Sequence, residues 1–404
     1  MDVQPDEWIE NNDDLMNNES GGEHEYMIML FYIYTVIESV ADTITFQKNL
    51  CEELFLKGRI RVSAEGLNVV LSGTKSNLQC YENRLLAHLN GTVTSQDLDV
   101  KYCPFRSDIP ASKQLFDYLS IKKTKDLVSL EDQLGDEETN TFKPAPHLSP
   151  KEWHEALQSA TSEDSIIIDA RNVYESKIGY FTTPFQDGCG APTLLTNTRR
   201  YSQLPPILKE SVHHLAGKNI YMYCTGGVRC EKVSQYVQKL ANSDDWIGEK
   251  PKVFQLKGGI QRYLETYGHL EADNVDDESS DQIMHKSDGN FSQSCLFQGK
   301  NFVFDQRRFD PQVGVGTVGA CNMCSMPHFD YDNGHSPSEN REARCCRCRI
   351  LVLICSSCRE KVVCAGEEFS QGKIRVFCGL NGTQCINEGN DFHFEFKRHV
   401  RIIP

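Results

Sequence analysis

Between Ser165 and Leu256, three apolar runs of strand length, "SIIIDA", "NIYMYC" and "KVFQL", alternate with helical patterns at Tyr201–His214 and Cys230–Ala241. Alternation of this kind predicts a parallel sheet with helices on both faces, because parallel strands must be joined by crossovers that cover the sheet. The segment opens on Ser149-Pro150-Lys151-Glu152, a capping box with proline at the first helical position. Ligands of such sheets sit beyond the carboxyl ends of the strands. Cys224 stands at one of those ends, followed by Thr225, Gly226, Gly227, Val228 and Arg229.

Upstream, "YMIMLFYIYTVI" predicts a buried strand, and Phe46, Leu50 and Leu54 with Cys51 and Phe55 form a helical stripe. "GRIRVSAEGLNVVLSG" reads as two strands about a Glu65-Gly66-Leu67-Asn68 turn, followed by a helix over Asn77–Leu89 and a strand in "LDVKYCPF". The order βαββαβ predicts a ferredoxin-like, acylphosphatase-like sandwich. The expected organisation is therefore α/β and multidomain: an acidic tail at 1–25, the ferredoxin-like unit at 26–128, a linker at 129–148, the parallel α/β unit at 149–270, an acidic linker at 271–300 and a Cys-rich unit at 301–404.

The net charge of -15 argues against an anionic partner only until the acids are placed. Residues 1–25 hold nine, Glu131–Glu138 five and Glu271–Asp281 six, with no Lys or Arg among them, and the remaining 37 acids face 42 bases. Nucleic acid is therefore admissible. The N-terminus has neither a basic region nor an apolar core of the secretory kind, and the 12-residue run "YMIMLFYIYTVI" is too short for a bilayer. Seventeen cysteines without such a signal point to a reducing compartment, cytosol or nucleus, where thiols act as ligands or nucleophiles.

A cysteine is a good nucleophile only as thiolate. A loop that ends a strand and opens a helix, with two glycines free to turn N–H groups inward and an arginine nearby, favours that anion. Cys224 to Arg229 is C-x4-R, a cradle sized for one sulfur or a persulfide. This loop resembles that of rhodanese domains, as do the "IIIDARNVYESKIGYF" segment, through Asp169, Arg171, Glu175 and Gly179, and the closing "VFQLKGGIQRYLETYG". With "GRIRVSAEGLNVVLSG", "SPKEWHEAL", "CTGGVRCEK" and "CRILVLICSSC", the chain over about residues 26–385 resembles the oxygen-dependent tRNA uridine hydroxylase family. The resemblance implies a rhodanese-type domain, hydroxylation of a wobble uridine with molecular oxygen as co-substrate, and a required loop cysteine, which is Cys224 here. Cys224 and Arg229 are the expected catalytic pair, with Thr225, Gly226, Gly227, Val228 and Arg171 binding substrate. Cys230 is expected to point away from the cradle, as a packing residue. No flavin fingerprint or iron facial triad is legible in the sequence.

Eleven cysteines lie between Cys295 and Cys385. Cys-x2-Cys pairs hold two thiolates on one metal, and a tetrahedral zinc takes two such pairs. Cys321/Cys324 and Cys345/Cys348 are 20 residues apart, and Cys355/Cys358 can substitute for either. The expected zinc ligands are these six, with the pairing open and His328, His335, Cys364 and Cys378 available for a second site. Two other functions compete: transfer of sulfur from a donor such as thiosulfate, and a scaffold with a vestigial loop. For tRNA, the candidate phosphate contacts are Arg59, Arg61, Lys122 to Lys125, Arg199, Arg200, Arg307 and Arg308.

Overall fold

The structure is a computed structural model that describes residues 25–89, 93–107, 109–130, 143–185, 189–244, 246–270, 295–331, 342–368, 372–378 and 401–403. The acidic tail and most of both acidic linkers lie outside the described residues.

The N-terminal part runs β1 (Tyr26–Tyr34), α1 (Val40–Glu53), β2 (Lys57–Ser63), β3 (Gly66–Thr74), α2 (Lys75–His88), β4 (Lys101–Cys103) and β5 (Leu119–Lys123). Its sheet order is β4-β1-β3-β2-β5. The first four strands give the expected ferredoxin-like sandwich, and β5 adds a parallel partner to β2. The β2–β3 turn is tighter than the sequence suggests: Ser63 pairs with Gly66, so Gly66, Leu67 and Asn68 already belong to β3. Gly66 has φ +143°, and a Cβ there would lie 1.9 Å from the Ile33 carbonyl oxygen.

Alternation in β1 decides what the sheet does. Met29, Phe31 and Ile33 enter a core with Leu50, Leu67, Tyr81 and Leu85 from the strands and helices. Leu30, Tyr32 and Tyr34 face the other way, as residues two apart on a strand must. Among the described residues, that second face carries no helix of the N-terminal part.

The central part contains β6 (His147–Leu148), α3 (Pro150–Ser159), β7 (Ser165–Asp169), β8 (Gly179–Phe181), β9 (Thr193–Leu195), α4 (Leu204–Glu210), β10 (Asn219–Tyr223), α5 (Val228–Ala241), β11 (Lys252–Leu256) and α6 (Gly259–Tyr267). Strands β9, β7, β10, β11 and β6 pair in parallel in that order, and Arg401–Ile403 adds an antiparallel edge beside β9. Ser149 caps α3 through the predicted box with Glu152. The helical pattern over Tyr201–His214 is broken in the structure into a turn and two short helices. Pro205 and Pro206 account for the first of these breaks, since proline is tolerated only in a first turn.

Two segments read as linker are packed. His147–Leu148 forms the β6 edge. Phe297–Gly299 pairs with β8, and Phe297 is buried against Trp153, Phe181 and Tyr263. The Cys-rich part has little regular structure and a small core of Val352, Ile354, Val362 and Val376 with its cysteines. Among the described residues no helix is long and apolar enough to cross a membrane.

Candidate active site and metal centres

The loop Cys224–Gly227 leaves β10 at its carboxyl end and opens α5, as the sequence predicts. Gly227 at φ +103° turns its N–H onto the Cys224 sulfur at 3.2 Å. Carbonyl groups of the loop are taken up by the next helix: Ile260 N–H donates to Cys224 O at 3.0 Å and Gln261 N–H to Thr225 O at 3.2 Å. This approach requires glycine at 259. Its φ is +68°, and a Cβ would fall 2.6 Å from both carbonyl oxygens.

Burial of the Cys224 thiol pushes its pKa up. The hydrogen bond from Cys230, the Arg229 charge and the N–H groups of Arg229 and Gly227 outweigh burial and bring it down to about 6. The thiolate therefore dominates at neutral pH.

Arg229 does not point outward. Its guanidinium donates to both Glu175 oxygens, at 2.8 and 2.6 Å, and to Thr225 Oγ1 at 3.1 Å. Glu175 is fully buried and also accepts from Thr225 Oγ1 and from Asn172. Burial raises the Glu175 carboxyl, and the Arg229 charge and its hydrogen bonds overcome this to hold it below the usual range. Arg229 and Thr225 are thus joined to Glu175 beneath the loop, where the cation still acts on Cys224 through space.

Arg171, expected to bind substrate, is turned inward. It is 1% exposed and its Nε and Nη2 form a fork on Asp169 at 2.9 and 2.8 Å, with Tyr223 OH donating to the same carboxylate. The pair is a buried strut under β7 and β10. Asp305 and Arg307 repeat the spacing and the fork, at 2.9 and 2.7 Å, with Arg307 wholly buried. Arg307 is therefore unavailable to phosphate, and Arg308 is ion-paired with Glu342 at 2.5 Å.

The cradle is also more enclosed than a loop of this type suggests: Cys224 is 1% exposed, while Gly226 and Val228 are partly open. The helix-free face of the N-terminal sheet accounts for this. Tyr32 OH donates to Glu231 at 3.0 Å, Tyr34 OH to Val228 O at 3.4 Å, and a Cβ on Gly227 would meet the Tyr32 oxygen at 2.8 Å. Lys232 pairs with Glu65 across the same junction. Phe304, 44% exposed, lies with its ring 5.6 Å from the Arg229 guanidinium, and its carbonyl accepts from Arg59. Sequence reasoning missed Tyr32 and Phe304. The one available signal was the Leu30/Tyr32/Tyr34 alternation.

Cys230 is fully buried in the core beneath the loop, in the packing role the sequence suggests.

In the Cys-rich part, Cys321, Cys324, Cys355 and Cys358 bring four sulfurs within 4.8 Å of one another, and Cys345, Cys348 and Cys378 bring three. The first two pairs in sequence therefore do not share a site. Each leads a separate cluster, in twin knuckles where Ser325 N–H bonds Cys321 O and Arg349 N–H bonds Cys345 O, with φ +61° and +60° at the two turn residues. Sulfur separations of 3.6 Å (Cys324–Cys355) and 3.8 Å (Cys348–Cys378) match the roughly 3.8 Å edge of a tetrahedron with ~2.3 Å metal–sulfur bonds. The first set thus supplies the four donors of a tetrahedral metal site, and the second supplies three of them among the described residues. His328 and Cys364 belong to neither cluster, and His335 and Cys385 lie outside the described residues.

Residues 26–127 match the family model described as the UPF0176 acylphosphatase like domain. The chain is 32% identical over 84% of its length to "Rhodanese-like domain-containing protein 6" of Arabidopsis thaliana, of which it spans 52%. It is 30% identical over 80% of its length to the "tRNA uridine(34) hydroxylase" of Shouchella clausii and 33% identical over 83% to that of Staphylococcus carnosus, covering 84% and 90% of those proteins. With the acylphosphatase-like sandwich, the rhodanese-type sheet and the C-x4-R loop in place along one chain, the protein belongs to the tRNA uridine(34) hydroxylase family.

Proposed function

We propose that this chain is a rhodanese-type enzyme that hydroxylates the wobble uridine of tRNA, with Cys224 as the reacting thiolate and Arg229 as the charge that sustains it. The observation that carries the reading is a buried thiol that accepts the Gly227 N–H in a glycine-lined cradle, its pKa brought down to about 6, in a chain whose bacterial relatives bear that activity in their names. Molecular oxygen is the co-substrate in this reading, and Cys224 carries an oxygenated sulfur or a persulfide during turnover. Gly226 and Val228, the partly open loop residues, border the approach to it, and Thr225 and Gly227 hold its shape.

The strand register supports an RNA partner. Tyr32, Asn68, Arg61 and Lys122 stand in one row across β1, β3, β2 and β5, on the face that meets the loop. At ~4.8 Å per strand, that row carries two exposed cations to within about 15 Å of Tyr32. Such cations supply phosphate contacts and a steep salt dependence. A wobble base is partly unstacked already, which lowers the cost of presenting it. The two cysteine clusters hold structural zinc, which organises the Cys-rich part without a role in the reaction, and the protein works in the cytoplasm.

Purified protein tests the substrate directly. Salt-sensitive tRNA binding with negligible turnover of thiosulfate is expected. Efficient thiosulfate turnover without tRNA binding would make the protein a sulfurtransferase instead.

A further inference from the structure

Phe304 stands beside the Cys224 loop with 44% of its surface exposed, although Phe302 and Val303 before it and Asp305 after it are each 2% exposed. A phenylalanine turned outward from a packed segment is the informative exception, because burial is the default for so large an apolar ring. The ring is also held in place. Val303 N–H donates to Arg308 O at 3.0 Å and Arg308 N–H to Asp305 O at 3.3 Å, closing the turn that carries it. Arg307, wholly buried on its fork with Asp305, donates to Pro104 O at 3.0 Å and so fastens this turn to the N-terminal part. Arg59 reaches from β2 to donate to the Phe304 carbonyl at 3.1 Å, and the Phe302 ring meets that of Phe304 edge-on at 5.4 Å. The second Asp-x-Arg fork thus stiffens the support of an exposed ring.

Contacts on two sides fix where the ring lies. On one side its centroid is 5.6 Å from the Arg229 guanidinium, which donates to Thr225 Oγ1 at 3.1 Å. Thr225 follows Cys224 directly, and its Oγ1 is 3.5 Å from Phe302 O. On the other side, Leu30, Val70 and Arg59 stand in register across β1, β3 and β2. A Cβ on Gly226 would meet Leu30 at 3.7 Å, whereas Arg59 meets Phe304. At ~4.8 Å per strand, the loop glycine and the ring are therefore approached from strand positions about 10 Å apart, the scale of one nucleotide.

We propose, on the reading of this chain as an enzyme of the tRNA wobble uridine, that Phe304 is the platform on which that uridine stacks when it is presented to Cys224. Every base has a π-face, and an aromatic ring fixed beside the reacting atom orients an unstacked base without reading its edges. Arg59 and Arg61, both exposed and two apart on β2, supply charge on the same sheet face for the flanking phosphates. Covering Arg229 alone would not account for the open face of the ring.

The test compares full-length wild type, Phe304→Leu and Phe304→Trp on two anticodon stem-loop RNAs, one with uridine and one with an abasic ribose at the wobble position. Wild type should bind the uridine RNA about 10-fold more tightly, the contribution of one base–aromatic stack. Phe304→Leu should bind both RNAs at the abasic level, with the salt slope and the alkylation midpoint of Cys224 as in wild type, since the phosphate contacts and the thiolate cradle are untouched. Phe304→Trp should keep the preference, and its added indole fluorescence should be quenched by the uridine RNA and not by the abasic one; this signal decides the matter if Phe304→Leu fails to fold. Equal binding of the two RNAs by wild type, a preference retained in Phe304→Leu, or an indole indifferent to the uridine would overturn the stacking role. A Cys224 midpoint that moves in Phe304→Leu while the preference stays would make the ring a cover for Arg229 instead. Absence of binding to either RNA by wild type would overturn the tRNA reading along with it.

Discussion

Arg229→Ala removes the only cation bonded to the buried Glu175 carboxylate among the described contacts, and two measurable quantities should move together. Breaking a buried pair from one side costs about 3–5 kcal/mol, because the remaining charge stays desolvated. Glu175 keeps its bonds from Thr225 Oγ1 at 3.0 Å, Asn172 N at 3.1 Å and Asn172 Nδ2 at 3.2 Å. Three retained donors place the loss near the low end, about 3 kcal/mol. Trp153 and Trp246 both pack in the central part, so tryptophan fluorescence during denaturant unfolding reports on the region affected. Removing both partners should cost less than the sum of the single losses, with a coupling of about 1.5–3 kcal/mol. The second quantity is the acidity of Cys224. Losing a nearby opposite charge should lift the midpoint of its alkylation profile from about 6 to about 7–8. A rate at one pH is a poor reporter, since a more basic thiolate is also intrinsically more nucleophilic. The whole profile is needed. A midpoint that stays near 6, or a stability loss below about 1 kcal/mol, would refute the reading of Arg229 as a buried cation shared between Glu175 and the thiolate.

Three further outcomes follow from the geometry. Gly259→Ala combines a positive φ, worth about 1 kcal/mol for an L-residue, with a clash at 2.6 Å against two loop carbonyls; activity should fall more than the melting temperature does, and an unchanged kcat would contradict the close approach described. Chelation should strip the Cys-rich part of fold and leave Trp153 fluorescence native, with Cys378→Ser lowering bound zinc in elemental analysis and Cys364→Ser leaving it unchanged; the reverse order would reassign the second cluster. Arg61→Gln and Lys122→Gln should each lower the slope of log affinity for tRNA against log salt by about 1, measured by filter binding, and slopes equal to wild type would place the RNA elsewhere.

The parts of the fold written in local periodicity were legible from sequence. The alternating apolar runs fixed the parallel sheet, βαββαβ gave the sandwich, and glycines with an arginine five residues on marked the thiolate loop. What escaped was the choice of partner. A charge in a sequence announces that something must neutralise it and leaves open what does. Arg171 and Arg307 look like free cations until each is seen forked onto the aspartate two residues before it. The Asp-x-Arg spacing at Asp169 and Arg171 already allowed a brace by ion pairing, and its repeat at Asp305 and Arg307 was the unread clue. Tyr32 could not be placed over the loop, because which surface the open face of one sheet covers is decided by packing between parts nearly 200 residues apart in sequence. The cysteine pairing was ambiguous for a similar reason. Spacing fixes which two thiols share a knuckle, and tertiary packing fixes which knuckle meets Cys355/Cys358 and which meets Cys378.

The claim at the centre of this account is that Cys224 carries out the modification of tRNA. Cells lacking the gene, complemented with either the wild-type chain or Cys224→Ser at matched expression, allow a direct comparison of tRNA nucleosides by mass spectrometry. The account predicts that 5-hydroxylated wobble uridine derivatives return with the wild type and stay absent with Cys224→Ser, while the variant still binds tRNA. Their full return with Cys224→Ser, or their unchanged level in cells with no copy of the gene, would contradict it.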